Sequence, residues 1–306
     1  MIYSAQEVLK LQATSHNFWI EPYIPEQGIV LCFGKYGTYK TPLTLSMARC
    51  ISEGQDFLGL KVRAGRVLYI EADTPRDVIL ERAQLTLAGI QSINLDISFD
   101  YPGFNILKPS DDEEIARIHA LQEAHRIKCY NVVFIDSLRC LHSLSDKDSE
   151  VVVQVYRKLA NMFPSATVVL VHHDRKTKSD DTVEMMDESF SGSQAWVNHA
   201  TVGLKVAHHN KQKNEITLRH TKSQASELQA PLLIKVNDGA TMATSRPGNL
   251  IEVQEVLTSL PPALGPGDQD RAVAEVLGIS HRTARRRRKE LENEGQTQDT
   301  CSDLDR

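Results

Sequence analysis

Residues 34–41 read GKYGTYKT and match the phosphate-binding loop pattern G-x-x-x-x-G-K-[ST] at every fixed position except one. The exception is Tyr39, which stands where the pattern has glycine. In such a loop, consecutive backbone N–H groups and a helix N-terminus form a donor array for polyphosphate. Lys40 adds a positive charge against the outer phosphates, and the Thr41 hydroxyl is a ligand for Mg2+. The alternative interpretation is an ordinary glycine-rich turn before a core helix.

Two residues of this stretch depart from the usual chemistry. Tyr39 carries a Cβ where glycine lets the backbone approach phosphate, so it is expected to change the shape of the loop or to restrict its φ angle. Pro42 fits the first turn of a helix but cannot donate an N–H to a phosphate. Both departures predict weakened binding. The residues expected to form the phosphate site are Gly34, Lys35, Tyr36, Gly37, Thr38, Tyr39, Lys40, Thr41 and Pro42.

Acidic side chains follow two apolar runs later in the chain. Residues 132–135 are followed by Asp136, as in a Walker B element whose carboxylate reaches the metal shell through water. Residues 68–70 are followed by Glu71 and Asp73, and one of these carboxylates is the candidate to orient or deprotonate an attacking water. Because ligands of such sheets bind beyond the carboxyl ends of the strands, we expect these acids to share one rim with the loop.

A third apolar run, residues 168–171, ends in His172 and His173, which could sense the terminal phosphate. The alternative roles are a structural hydrogen bond or, with His199, His208 and His209, a metal cluster. The spacings of these histidines fit no standard zinc pattern.

Parallel strands are needed to bring these residues together. Short runs rich in β-branched residues alternate with helical patterns, which predicts an α/β fold with a mostly parallel sheet. The runs are residues 67–70, 132–135 and 168–171, and the helical patterns are residues 75–88, 111–126 and 150–163. A polar stretch up to Phe190 is expected to be a mobile loop. Strand-like segments at 201–206, 215–220 and 232–236 then indicate antiparallel strands at one end of the sheet.

The composition is that of an ordinary globular protein: 306 residues, 41% hydrophobic and 25% charged, with a formal net charge of -5. No apolar run approaches the ~20 residues that span a bilayer, and the first residues lack a basic-then-apolar signal. We therefore expect a cytoplasmic protein with no membrane partner. The five cysteines have no CxxC spacing, and we interpret them as reduced thiols rather than disulfides or zinc ligands.

The motifs also resemble those of a known family. The runs FWIEPYIP, IVLCFGKYGTYKT, VLYIEADTP, VVFIDS, VVLVHHDRK and SGSQAWVNHA occur in this order. Over residues 15–236, their sequence and order resemble the RecA-like ATPases of the RepA-type replicative helicase family of plasmids and phages. The resemblance implies a RecA-like domain at 1–236, ATP with Mg2+, and a homo-oligomer, commonly a hexameric ring, with sites between subunits.

The resemblance also implies roles for single residues. Lys40 and Thr41 fall at the phosphate and metal positions, and Asp136 falls at Walker B. Asp73 falls where these proteins usually carry a catalytic glutamate; because aspartate is one methylene shorter, Glu71 remains an alternative.

Three further positions follow from the same resemblance. His172 falls at the sensor of the γ-phosphate. Ser191 stands where many relatives have arginine, so Arg219 or Lys222 could supply a trans-acting charge across a subunit boundary. The alternative for Arg219 and Lys222 is a pair of solvated residues at a strand edge.

The last part of the chain has a different composition. A linker rich in Gly, Thr, Ser and Pro is expected at 237–249, a separate helical unit at 250–295 and a tail at 296–306. The segment from residue 270 to residue 291 is similar to a helix-turn-helix or winged helix, and it contains six basic residues between positions 282 and 289.

Within this unit, Arg288 shares a helical stripe with Ala284 and Leu291, so its stem should lie over the core. We expect Arg282, Arg285 and Arg286 to face outward, toward DNA phosphates or base edges. The alternative is a basic helix that docks on a neighbouring subunit.

Two functions fit these observations. The first is an ATP-hydrolysing RecA-like motor or loader that acts on DNA in replication of a mobile element. The second is an ATP-gated DNA-binding regulator with slow or no hydrolysis, which Tyr39, Pro42, Asp73 and Ser191 favour.

Overall fold

The predicted apolar runs pair into one nine-stranded sheet in the computed structural model of the chain. The structure describes residues 4, 6, 17–99, 103–145, 148–173, 194–237, 241–261, 264–276, 281–282, 284–289 and 291–292. Ser191, most of the predicted loop up to Phe190, and the tail 296–306 lie outside the described residues.

Strands and helices alternate through the first two thirds of the chain, as their sequence patterns predict. The strands are β1 Phe18–Ile20, β2 Ile24–Pro25, β3 Gly28–Gly34, β4 Val67–Glu71, β5 Leu95–Phe99, β6 Val132–Asp136, β7 Thr167–His173, β8 Val202–Asn210, β9 Glu215–Ser223, β10 Leu232–Asn237 and β11 Thr241–Pro247. The helices are α1 Lys40–Glu53, α2 Arg76–Thr86, α3 Asp112–Lys128, α4 Ser149–Met162, α5 Ala195–His199, α6 Gly248–Ser259 and α7 Pro266–Val276.

The sheet has a parallel part and an antiparallel part. Strands β8, β3, β7, β6, β4 and β5 lie side by side in this order and are all parallel. Strands β9, β10 and β11 extend the sheet beyond β8 as antiparallel neighbours. The mostly parallel α/β sheet with antiparallel strands at one end is therefore confirmed, and strands β1 and β2 form a separate pair.

The strand β11 corrects the predicted linker at 237–249. Residues 241–247 pair with β10 along its length, with a register shift between Leu233 and Ile234. The segment TMATSRP has no continuous apolar run because it lies at the edge of the sheet, where only one side pairs with a neighbour. Its threonines are nevertheless compatible with a pleated strand.

Helices cover both faces of the sheet and bury two apolar clusters. One cluster contains Leu43, Met47 and Ile51 of α1, and the other contains residues of α3 and α4 such as Leu121 and Val155. The starts of α3 and α4 have side-chain caps: Asp111 accepts a hydrogen bond from the backbone of Glu114, and Asp148 accepts one from Glu150. These helices bury the strands on both faces, which explains why the strand sequences are continuously apolar.

A small third cluster joins the helices at the end of the chain. Val253 and Val256 of α6 pack with Val273 of α7 and with Ala284. The described residues between 281 and 292 are helical, and we call them the basic segment. Helix α6 also contacts β10 and β11, so the helical end of the chain is connected to the edge of the sheet.

Candidate nucleotide site

Four neighbouring strands bring the predicted site residues to one rim. In the sheet register, Gly34 at the end of β3 lies opposite His173 of β7, and Glu71 of β4 lies opposite Asp136 of β6. Val171 of β7 pairs with Asp136. The loop, both acidic strand ends and the histidine pair therefore meet at the carboxyl edge of the parallel sheet, where such folds bind ligands.

The phosphate-binding loop is held by contacts to its own backbone. A Cβ at Gly34 would lie 2.1 Å from the Val206 carbonyl oxygen, so glycine is required for β8 to approach the loop. The Lys40 Nζ donates to the carbonyl oxygens of Gly34 at 2.9 Å and Lys35 at 2.8 Å. The Thr38 hydroxyl donates to the same Lys35 oxygen at 2.8 Å. These bonds place the ammonium group of Lys40 inside the loop.

Tyr39 adopts the conformation that glycine would adopt at its position. Its φ is 60° and its ψ is 29°, the left-handed region, and it immediately precedes α1. The expected change of loop shape is thus absent at this residue, because tyrosine accepts a backbone conformation that normally favours glycine. Pro42 lies in the first turn of α1, as predicted.

Thr41 and Asp136 form the centre of the candidate metal site. The Thr41 hydroxyl donates to Asp136 Oδ2 at 2.6 Å, and the Tyr69 hydroxyl donates to the same oxygen at 3.2 Å. Asp136 is 3% exposed; burial raises its pKa, whereas the Thr41 bond and the charge of Lys40 oppose that rise. Sequence reasoning assigned no role to Tyr69, although its hydroxyl is the polar group inside the buried strand β4.

Glu71 lies beside Asp136 and is almost completely buried. Its Oε1 accepts backbone N–H groups of Asp73 at 3.1 Å and Thr74 at 2.9 Å. Its Oε2 is buried and has no hydrogen-bond partner among the described residues. Burial first, and then the charge of Asp136, raise the pKa of Glu71 well above its usual range.

These side chains fit a hard divalent cation. A hydroxyl, a buried carboxylate and a second buried carboxylate oxygen without a protein partner are the oxygen ligands that Mg2+ prefers. A cation there would also offset the unfavourable proximity of two buried acids.

Asp73 has surroundings unlike those of Glu71. Its side chain is 40% exposed, and its Oδ2 lies 3.2 Å from His173 Nε2. The Cys140 thiol is 3.7 Å from its Oδ1. The hydrogen bond with His173 lowers the pKa of Asp73, so this carboxylate is ionised at neutral pH. The role of His173 as the partner of Asp73 and the contact with Cys140 were not predicted, because 100 residues separate Asp73 from His173.

His172 does not lie where the sensor was expected beside these acids. Its ring is buried, and its centroid is 6.4 Å from that of Trp196. Successive side chains of a strand point to opposite faces, so His173 rather than His172 reaches Asp73. We therefore correct the assignment at this rim from His172 to His173.

Lys222 is also corrected, and Arg219 is placed on the same strand. The Lys222 ammonium donates to the carbonyl oxygens of Val197 at 3.1 Å, Asn198 and Ala200 at 2.6 Å, at the end of α5. This side chain caps a helix of its own chain, which contradicts a trans-acting role. Arg219 is half-buried on β9, opposite Lys205 of β8.

The basic segment has an inner and an outer side. Arg288 is 6% exposed, and its guanidinium donates to both carboxylate oxygens of Asp270, with its Nε 2.6 Å from Oδ1. Arg282, Arg285 and Arg286 are exposed. The inward position of Arg288 follows the helical stripe that the sequence indicates.

Other predicted site types have no counterpart in the described part of the chain. Over those residues, no group of three histidine, cysteine or acidic side chains could hold a metal ion. His208 lies near Tyr39, and His199 lies against Tyr156. No helix among the described residues is long and apolar enough to cross a membrane.

Comparisons with known proteins agree with this geometry. The sequence model of the AAA_25 family, described as an AAA domain, matches residues 5–179, more than half of the chain. The solved ATPase domain of a helicase is 14% identical, with a TM-score of 0.51 over 72% of this chain and 86% of that chain. The KaiC-like protein of the hyperthermophilic archaeon Pyrococcus horikoshii OT3 is 14% identical, with a TM-score of 0.50 over 77% of this chain and 99% of that chain. A comparison with curated protein sequences gives no match.

At 14% identity the two solved structures show the fold alone, and they agree with the parallel sheet and the loop after β3. The family match extends across the loop and the acidic ends of β4 and β6. The chain therefore belongs to the AAA_25 family and has a RecA-like P-loop core.

Proposed function

We propose that this chain binds and hydrolyses ATP as a RecA-like motor or loader that acts on DNA in replication of a plasmid, phage or other mobile element. The observation that carries the proposal is the 2.6 Å contact between Thr41 and Asp136, with Lys40 inside the adjoining loop. That combination supports a site for a nucleotide triphosphate and a divalent cation.

The loop residues would bind the phosphates. Lys40 exchanges its bonds with the loop carbonyls for the outer phosphates, and the backbone N–H groups at the start of α1 supply further donors. Thr41 and Asp136 would hold Mg2+, which when bound neutralises phosphate charge. Pro42 contributes no N–H, so the donor array of this loop is smaller than usual.

Asp73 is the residue that we assign to the attacking water. It is ionised, exposed at the rim and oriented by His173. Glu71 is a positioning residue, because its carboxylate binds the backbone N–H groups of Asp73 and Thr74 and so fixes the turn that carries Asp73. This assignment separates the two acids that the sequence left as alternatives.

Assembly and DNA contact complete the proposal. The resemblance to RepA-type helicases favours a homo-oligomer, commonly a hexamer, with nucleotide sites between subunits. Arg219 is then the candidate for a trans-acting charge. The exposed Arg282, Arg285 and Arg286 of the helical unit at 250–295, with the arrangement of a helix-turn-helix, are the candidates for DNA contact.

One observation favours the second function, an ATP-gated DNA-binding regulator with slow or no hydrolysis. Both carboxylate oxygens of Asp73 are engaged, one by His173 and the other by Cys140. A base whose oxygens are both occupied accepts a proton from water less readily.

The test is ATP turnover with and without DNA, comparing the natural protein with Lys40→Ala. We expect DNA to stimulate turnover and the substitution to reduce it at least about a hundredfold, because the charge against the outer phosphates is lost. The matched control is Lys108→Ala, which removes an exposed lysine before α3 and should leave turnover unchanged. Turnover no higher than that of Lys40→Ala would exclude the motor.

Binding of ATP without turnover would instead support the regulator. A strand-displacement assay then separates a motor that unwinds DNA from a loader, since both hydrolyse ATP.

A further inference from the structure

Tyr39 connects the phosphate-binding loop to the hairpin formed by β8 and β9. Its hydroxyl lies 3.2 Å from Asn214 Oδ1, in the turn between these strands. Its ring meets the His208 ring edge to face, with 6.2 Å between centroids. The residue that replaces the loop glycine therefore contacts both sides of a neighbouring hairpin.

The hairpin provides a fixed point for this contact. The Asn214 carbonyl accepts a hydrogen bond from the backbone of Val236 in β10 at 2.9 Å. Asn210 Oδ1 accepts the backbone N–H groups of Gln212 at 3.0 Å and Lys213 at 3.2 Å, which closes the turn. Asn214 itself has a φ of 54°, a conformation that asparagine accepts more readily than most residues. The acceptor of the Tyr39 hydroxyl is thus held by a closed turn and by a third strand.

A tyrosine at a φ of 60° needs such support. A side chain in the left-handed region is unfavourable for any residue with a Cβ, and glycine is used there because it avoids the cost. Tyr39 also immediately precedes α1, whose first residues are Lys40 and Thr41. Any change in the backbone of Tyr39 would therefore move both residues of the candidate phosphate and metal site.

We propose that the contact of Tyr39 with Asn214 and His208 is a clamp that positions the phosphate-binding loop for polyphosphate. The clamp replaces the freedom of glycine with a fixed side chain, so the loop keeps its shape without nucleotide. Tyr39 is a positioning residue in this proposal, which rests on the nucleotide-binding function proposed above. The hairpin becomes a part of the site that the loop pattern does not contain.

Two substitutions remove the hydrogen bond from opposite sides. Tyr39→Phe keeps the ring against His208 and loses only the hydroxyl, whereas Asn214→Gly removes the acceptor and still tolerates a positive φ. We expect each change to raise the dissociation constants of ATP and ADP about three- to fivefold, the range for one lost neutral hydrogen bond. The double variant should be no weaker than either single one, because both lose the same contact. The matched control in the turn is Gln212→Ala, which should leave affinity unchanged.

Hydrogen–deuterium exchange without nucleotide tests the clamp independently of binding. Peptides that cover residues 34–43 should exchange faster in Tyr39→Phe and in Asn214→Gly than in the natural protein or Gln212→Ala. Unchanged exchange would show that no clamp exists. Faster exchange with unchanged affinity, or additive losses in the double variant, would also overturn the positioning role. If the natural protein bound no ATP, the proposed function would fail while the exchange comparison still decided the clamp.

Discussion

Glu71 and Asp73 are separated by one residue, yet their carboxylates meet different surroundings at the end of β4. Glu71 is buried against Asp136, and its raised pKa comes from burial and from that neighbouring charge. Asp73 is exposed and paired with His173, and its pKa is lowered. When two acids are pushed in opposite directions, the ionised one is the better acceptor of a proton from water.

Substituting each acid by its amide tests this division of roles. Asp73→Asn should lower ATP turnover about a hundredfold or more, because a general base contributes at least that factor. Glu71→Gln keeps an oxygen for the N–H groups of Asp73 and Thr74, so turnover should fall less than tenfold. Single-turnover rates and ATP affinity measured on both variants separate chemistry from binding. Near-normal rates in both would remove the assignment of Asp73, and a larger loss in Glu71→Gln would reverse it.

The residue types could be predicted where their spacing is local. Gly34, Lys40 and Thr41 lie within one octet, and Asp136 ends an apolar strand, so the sequence contains both halves of the metal site. The pairing of Asp73 with His173 depends on strands that are neighbours only in the folded sheet. Tyr39 was misread because the pattern states which residue is usual, whereas the hairpin contact depends on a residue 175 positions away.

Secondary-structure elements show the same limit for a different physical reason. Strands β4, β6 and β7 are buried on both faces, so their apolar runs identify them. Strands β5 and β11 form the two edges of the sheet. The residues of β5 are all half-buried, so neither edge strand has the continuous apolar signal, and both were missed.

The buried pair of Asp270 in α7 and Arg288 in the basic segment connects two elements of the C-terminal helical unit. Arg288 donates to both oxygens of Asp270 and also to Glu292. The carboxylate raises the already high pKa of Arg288, so the guanidinium stays charged under all ordinary conditions. Removing its buried partner would leave that charge without compensation.

Asp270→Ala should therefore destabilise the C-terminal unit by about 3 kcal/mol or more, the usual effect of breaking a buried ion pair. The control is Asp268→Ala, which removes an exposed partner of Arg271 in the same helix and should cost less than about 1 kcal/mol. Hydrogen–deuterium exchange of residues 266–276 measures the free energy of opening in both variants. Equal protection in the two variants would show that the buried pair does not stabilise these helices.

At the scale of the whole molecule, charge is unevenly distributed. The chain has a net charge of -5, yet the basic segment presents Arg282, Arg285 and Arg286 on its exposed side. An acidic surface disfavours general contact with a polyanion, so DNA binding should depend on this one region. The inward Arg288 leaves the other three arginines to face a partner.

Replacing Arg282, Arg285 and Arg286 together by alanine should weaken DNA binding and reduce its salt dependence. Three lost phosphate contacts lower the slope of log K against log salt by about three, because each contact releases close to one counterion. Fluorescence anisotropy of a labelled duplex over a series of KCl concentrations measures this slope. The control replaces three exposed arginines elsewhere, Arg82, Arg126 and Arg157, and makes the same change in net charge.

The two triple variants distinguish local contact from general charge. A loss confined to the basic segment supports a DNA-contacting surface there, because the control has the same net charge but keeps those three arginines. An equal loss in both variants would show that only the overall charge matters. Unchanged DNA binding in the first variant, with a smaller assembly by light scattering, would mean that the basic segment docks on a neighbouring subunit.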